Sequence, residues 1–302
     1  MEIQLAVDNT RCIKCGKCIK VCPSRIFEWN SNGNCRSVKV ENAQSCIKCG
    51  HCAAVCRAMA IQHSLFPSDK VHPVDYNALP TSDQVMLLCK TRRSNRAITD
   101  KPVPQESIEK ILEAANSAPT ASNLQQLEYT VVTSPEKITA IIEFVLDYFG
   151  SMLKLIDNPL LKPVVKAVAG EGVLRYANVF KRIREAYSKG DDQILRGAKC
   201  VIFIHAPKSS RFADADANLA YQNGSLMAES LGVSQIYTGF VCTAAKKGKG
   251  RLEEILGIDR SRRIVAGMAL GMPEFRYTNY IDREPLKVNL LKYEKFGDAG
   301  SV

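Results

Sequence analysis

Eight cysteines fall into two copies of one spacing: Cys12, Cys15, Cys18 and Cys22, followed by Pro23, then Cys46, Cys49, Cys52 and Cys56. Each copy reads C-x-x-C-x-x-C-x-x-x-C, a run in which three close thiolates cap one iron–sulfur cluster and the fourth reaches across to another. The spacing therefore predicts one 4Fe-4S cluster on Cys12, Cys15, Cys18 and Cys56, and a second on Cys46, Cys49, Cys52 and Cys22. Two blander readings compete. Zinc takes a tetrahedron, usually from two C-x-x-C pairs well apart, which leaves the third cysteine of each run unexplained. A disulfide framework is the other.

The doubled run resembles the two-cluster bacterial-type ferredoxins over about the first 65 residues, with Arg57 standing where a second Cys-Pro is usual. Cys46 follows Cys12 by 34 residues, so each half is one supersecondary unit that cannot complete its clusters alone. Folding and metallation should be coupled.

A second candidate constellation begins with Arg92, Arg93, Ser94 and Arg96. Guanidinium forks and a hydroxyl can converge on a phosphate, and a cation can face an anionic ring edge; alone, the segment is a basic solvated turn. A third is the small polar loop 118–125, with Thr120, Ser122, Asn123 and Gln125. Taken together they resemble the nitroreductase family, whose flavin loop reads P-S-x-x-N-x-Q; here Thr120 replaces the usual Ser, and Gln126-Leu127 replaces Pro-Trp. Glu229 to Gly232, Ile236 to Gly239, and Gly271-Met272-Pro273 followed by Arg276 and Arg283 continue the likeness in order.

That resemblance implies an α+β domain, a mostly antiparallel sheet flanked by helices, built as a homodimer with two flavin mononucleotide (FMN) sites at the subunit interface. Carried over, Arg92 and Ser94 meet the phosphate and ribityl chain, with Arg93 beside them. Arg96 sits near N1 and O2 of the ring, where positive charge favours the reduced anion. Ser122, Asn123 and Gln125, in the loop that Thr120 opens, hydrogen-bond the ring or ribityl. Tyr237, Thr238 and Gly239 offer backbone contacts around N5, and Arg276 with Arg283 form a phosphate clamp. No dedicated catalytic acid is implied; the chemistry rests on FMN, with Arg96 and Gly239 near the ring.

The elements that would position these groups divide the 302 residues into a cluster domain (1–65), a Pro-containing linker (66–81) and an FMN domain (82–302) with a helical lid or dimer-packing insert at about 150–190, a membrane-surface helix being the alternative there. Ile26 to Trp29 and Ser37 to Val40 flank an Asn-Gly turn, a hairpin signal; Cys35 reads as a spare loop thiol. Ser82 is a plausible N-cap for a helix carrying Cys89, which reads as core. Helical spacing over 104–115, a strand over 129–133 and a helix from Ser134-Pro135 to about Phe149 follow. A β-rich run over 199–205, a helix over 213–231 ended by Gly232, and a buried strand over 264–270 complete the domain. His205 reads as a satisfied structural residue, Cys200 as strand core, and Cys242 as a loop thiol near the flavin. Pro159, Pro163, Gly170 and Gly172 should break the insert into short pieces.

Composition narrows the rest. With 46% hydrophobic residues the chain can bury one sizeable core beside a small domain. No signal peptide and no apolar run of membrane-spanning length is present, and thiols kept for iron need a reducing place, so the cytoplasm is the expected home. The net charge of +10 invites a nucleic-acid reading; anionic clusters and an anionic flavin offset that charge more simply. No G-x-G-x-x-G turn joins a strand to a helix, which argues against a built-in dinucleotide domain. The expected function is an FMN oxidoreductase that receives electrons through two 4Fe-4S clusters from an external low-potential donor, a ferredoxin-like carrier or NAD(P)H. It would reduce a small acceptor such as a nitroaromatic or quinone. Reductive dehalogenation, reduction of an activated double bond, and a non-catalytic redox carrier or sensor are the alternatives.

Overall fold

The computed structural model describes residues 3–30, 37–159 and 172–291. In the first of these stretches β1 (Leu5–Val7) leads into the first cysteine loop and a short helix α1 (Lys17–Val21). Next, β2 (Phe27–Asn30) pairs antiparallel with β3 (Ser37–Val40), in register from Phe27↔Val40 to Asn30↔Ser37. These are the expected hairpin strands; the turn between them and Cys35 lie outside the described residues. The second cysteine loop enters α2 (His51–Ala54), and β4 (Ile61–His63) returns to pair antiparallel with β1.

The 34-residue repeat is written into the backbone. Lys14, Gly16 and Arg25 have φ of 57°, 69° and 50°, and their equivalents Lys48, Gly50 and Met59 have 60°, 72° and 50°. Four of these six carry a Cβ that the left-handed region penalises, so the bends are imposed by what the loops must wrap. They turn backbone N–H groups toward sulfur: Lys48 N donates to Cys46 Sγ at 3.4 Å, Ile26 N to Cys22 Sγ at 3.4 Å and Ala60 N to Cys56 Sγ at 3.3 Å. The packed core is small, Cys18, Ile26, Phe27, Val38 and Cys52, and two of its five members are cysteines.

Two isolated turns, Ser68–Lys70 and Tyr76–Ala78, cross the proline-bearing stretch. Helix α3 (Ser82–Thr91) then begins one residue earlier than expected: Thr81, not Ser82, is the N-cap, in a reciprocal capping box with Gln84. Cys89 is exposed rather than core, because α3 buries none of its residues.

The remaining chain builds one sheet with helices on both faces: α4 (Gln105–Asn116), β5 (Glu128–Val132), α5 (Pro135–Asp157), α6 (Gly172–Ser188), β6 (Cys200–Pro207), α7 (Ala213–Ser230), β7 (Ser234–Tyr237), α8 (Gly239–Lys247), α9 (Arg251–Leu256) and β8 (Arg262–Gly271). Strand order is β5-β6-β8-β7, antiparallel throughout. Alternation along β6 sorts the core into two layers. Cys200, Ile202, Ile204 and Ala206 face the layer with Ile111 and Ala217 of α4 and α7, while Val201 and Phe203 face that with Val145, Phe180 and Val241 of α5, α6 and α8. β7 was not expected as a strand. Its alternation is masked because Ser234 and Gln235 are both buried polar residues.

Ser134 caps α5 by accepting from Lys137 N, with Pro135 in the first turn, as expected. The helix runs past Phe149 to Asp157, and α6 is a continuous 17-residue helix from Gly172, so the insert is not all short pieces. Pro163 and Gly170 lie outside the described residues. Phe149 stacks on Phe180 with ring centroids 3.5 Å apart, joining α5 to α6. His205 lies within β6, buried, with Nε2 3.0 Å from Thr130 Oγ1 and Nδ1 accepting from Arg262 Nε at 2.9 Å. It is a satisfied structural residue.

Candidate functional site

Each crossed cysteine quartet encloses its own cavity. One is lined by Cys12, Cys15, Cys18 and Cys56, the other by Cys22, Cys46, Cys49 and Cys52. The fourth thiol of each run therefore lines the cavity of the opposite loop. Burial, then the neighbouring Cys46, Cys49 and Cys22, push the Cys52 thiol up to about 11. Burial likewise raises Cys18, with Cys12 and Cys56 adding to it. Metal binding must displace those protons, which couples loading to pH. Among the described residues no trio of His, Cys, Asp or Glu closes around a single metal ion. The thiols instead stand around cavity walls, and such a donor set fits the corners of a four-iron cluster.

The second region is a cavity of about 1000 Å³ between the sheet edge and the α5–α6 pair, lined by Arg96, Tyr237 and Gly239 among apolar side chains such as Phe149, Phe180 and Phe240. That volume lies at the upper end for small-molecule sites and suits a flavin with a small acceptor stacked on it. Thr238 N–H is committed to Gly267 O at 3.0 Å, and its side chain is buried. Gly239 and Phe240 open α8, where first-turn N–H groups have no intrahelical acceptor. Tyr237 meets Tyr221 edge-on, with centroids 4.7 Å apart, and burial pushes both hydroxyls up to about 12. They stay protonated at neutral pH.

Arg92, Arg93 and Arg276 gather beside α7. Burial raises Glu229, against the opposing pull of a backbone bond from Arg93 and the charges of Arg92 and Arg276. The Arg276 guanidinium lies over Gly232, where a Cβ would collide with it. Ser94 is half-buried, and its carbonyl accepts from Arg96 Nη1 at 3.3 Å. Arg283 is exposed, and no described contact joins it to Arg276.

Three residues that sequence reasoning missed, Asn95, Gln235 and Asp216, hold these groups together with Glu229. Asn95 is buried, donates to Phe275 O at 2.8 Å and accepts from Ala97 N at 3.0 Å, seating the arginine segment against 272–281. Gln235, wholly buried, donates to Arg93 O at 3.2 Å and accepts from Tyr221 Oη. Glu229 sits among the arginines, and Asp216 Oδ1 accepts from Ala121 N at 3.0 Å, anchoring the loop 118–125. A signal existed for Gln235: a large amide in the short run between Val233 and Ile236 has to be satisfied if that run is buried.

That loop is bent hard, with φ of 51° at Ser122, 53° at Asn123 and 48° at Gln125, and strain of this kind gathers at functional sites. Thr120 Oγ1 accepts from Gln125 N at 3.1 Å. Asn123 does something its sequence did not announce: its side-chain amide donates to Lys48 O at 2.8 Å and Ile47 O at 3.3 Å, in the second cysteine loop. Asp216, which holds this loop, and Glu229, beside the arginines, are thirteen residues apart on α7, about 20 Å at helical rise. Within one chain the loop and the arginines therefore stand apart.

Cys200 and Cys242 do not form a redox pair. They pack on opposite faces of the sheet, and Cys242 lies in α8 rather than a loop. Burial pushes them up to about 12 and about 11.

Comparison with known proteins matches residues 89–272 to the nitroreductase family and residues 11–61 to the 4Fe-4S dicluster domain. Relatives include the 4-nitrobenzoate reductase of Nocardioides sp. strain LMS-CY, 26% identical over 250 residues, covering 74% of this chain and 94% of that one. The FMN reductase of Bacillus subtilis strain 168 is 25% identical over 197 residues, covering 64% and 68%. In fold, the chain is similar to a nitroreductase with bound FMN from Desulfitobacterium hafniense DCB-2, with a TM-score of 0.51 at 20% identity over 68% of this chain and 97% of that one.

Proposed function

The chain belongs to the nitroreductase family and carries an N-terminal 4Fe-4S ferredoxin-type domain; from that premise, we propose that it reduces a small acceptor with electrons gathered through two clusters. It is an FMN-dependent oxidoreductase. When bound, the clusters supply single electrons and the flavin supplies paired ones. The protein's part is to hold, orient and insulate. The observation that carries this reading is the bond from Asn123 to Lys48 O, which ties the loop resembling the flavin loop to the loop bearing Cys46 and Cys49.

In this reading Cys12, Cys15, Cys18 and Cys56 hold one cluster, and Cys46, Cys49, Cys52 and Cys22 the other. Arg92, Arg93 and Arg276 supply charge for a phosphate, with Ser94 beside them; Arg276 is preset by its seat on Gly232, and Arg283 joins only if its segment folds inward. Arg96 places a cation at the cavity wall, where it favours a reduced ring, and the N–H groups that open α8 point hydrogen-bond donors to the same space. Thr238 fixes the turn instead of offering its N–H. The apolar α5–α6 wall gives a flat nitroaromatic or quinone a surface to lie against.

The site is completed across two copies of the chain. This follows from the separation of Thr120, Ser122, Asn123 and Gln125 from the arginines along α7. It is also supported by the unburied apolar side chains of α3, Val85, Met86 and Leu87, which are 45%, 56% and 53% exposed. Among the described residues no helix is long and apolar enough to cross a membrane. Anaerobic turnover tests the reading: oxidation of a reduced one-electron carrier should require an added nitroaromatic or quinone. Oxidation at the same rate without acceptor would leave a storage or sensing protein in its place.

A further inference from the structure

The two cysteine loops repeat each other's dihedral angles but not each other's surroundings. The carbonyls of Ile47 and Lys48 are taken up by Asn123, and Ile47 and Cys49 are half-buried while the Lys48 side chain stays exposed. Their equivalents 34 residues earlier face outward: Ile13 is 65% exposed, and Lys14 and Cys15 are exposed. Charge divides the same way. Lys17 and Arg57 line the cavity of the Cys12 quartet, whereas the equivalent positions around the Cys46 quartet are His51 and Pro23. Lys20, one turn beyond Lys17, corresponds to Ala54. Arg11 pairs with Asp8 at 3.7 Å; Lys14, Lys17, Lys20 and Arg57 form no ion pair with a described carboxylate.

Resting on the function proposed above, we infer that the face around Ile13, Lys14, Lys17 and Arg57 docks an acidic one-electron carrier protein. Electrons then enter at the Cys12 quartet and leave at the Cys46 loop toward Asn123. An apolar centre ringed by cations matches the layout of a transient protein interface. Such charge steers an acidic partner and speeds encounter in a salt-dependent way. A two-electron hydride donor has no use for this face, since it must reach the flavin. Each encounter oxidises the carrier by one electron and reduces this chain by one. No bond or proton is exchanged at the face.

The test uses the full-length protein loaded with iron, sulfide and FMN, and a small acidic bacterial ferredoxin as probe, with binding measured by calorimetry across a salt series. The Lys17→Glu/Arg57→Glu variant should weaken binding at least about 10-fold and flatten the salt dependence. Lys101→Glu/Lys208→Glu carries the same change in net charge on the other domain and should stay within about twofold. Bleaching of the clusters by dithionite should be unchanged in the control pair. If the first variant loads iron poorly, Lys14→Gln/Lys20→Gln should still weaken binding about threefold. Equal effects from the face and control pairs, no effect from either, or binding of phosphatidylserine vesicles or duplex DNA in place of ferredoxin would overturn the inference. Wild-type protein that fails to hold clusters or flavin would instead refute the function it rests on.

Discussion

Up to Ser64 the ligand quartets come from two tight loops and two crossing thiols, over a packed core of five residues. Beyond Thr81, groups facing one cavity come from the 92–96 segment, β7 and the start of α8, held by Asn95 and Gln235 on a sheet with helices on both faces. The first region lacks the apolar area to fold well alone, so its metal does structural work. The second can fold first and bind later. The molecule thus joins a part whose cofactors make the fold to a part whose fold makes the site.

Removing iron is expected to break this contrast most visibly. After chelation, amides of β1 and β4 should exchange freely while β6 and β8 stay protected, as read by hydrogen exchange on the whole chain; joint loss would show that the two regions fold as one. Cys22→Ser sharpens the same point. By the crossed arrangement it should empty the Cys46 quartet, leaving roughly half the iron and the signal of one 4Fe-4S cluster in electron paramagnetic resonance. Loss confined to the Cys12 quartet would refute the crossing.

On the other side, Phe203→Ala in the wholly buried centre of β6 should cost about 3–5 kcal/mol in denaturant unfolding, without changing the iron content. Asn123→Ala removes the bonds between the regions and should cost about 0.5–1.5 kcal/mol, with faster exchange local to 46–50. The smallest effect concerns acid. Burial, then the Arg262 charge, hold His205 below its ordinary value, so the unfolded chain binds a proton that the folded chain refuses. Its contribution is full above about pH 6.5 and is lost as pH falls toward the folded value, with a slope of at most about 1.4 kcal/mol per pH unit. His205→Gln should melt earlier at pH 7.5 but lose less between pH 7 and 5.5.

The two cysteine quartets that line cavities were legible because their spacing is local, and so were the hairpin strands and the β6 and β8 runs. The cavity was not, since it forms where β7, α8 and the α5–α6 pair meet, and β7 hides two buried polar residues at its start. Cys89 misled because a helix with apolar residues implies a buried face, and α3 presents that face outward. Asn123 has a neighbour its motif does not announce: the motif points to a flavin, and the amide also meets the carbonyls of a loop some 75 residues earlier. No periodicity encodes a contact between regions.

In the proposed function, electrons pass from thiol-held iron to the rear domain within one assembly. Protein loaded anaerobically with iron, sulfide and FMN should be mixed with a reduced acidic ferredoxin, and cluster and flavin absorbance followed in the stopped flow for wild type and Cys22→Ser. Cluster bleaching should precede flavin bleaching in wild type, and the flavin phase should slow by at least about 100-fold in the variant, a barrier increase of about 2.7 kcal/mol. Flavin bleaching at the same rate in both proteins would contradict the account.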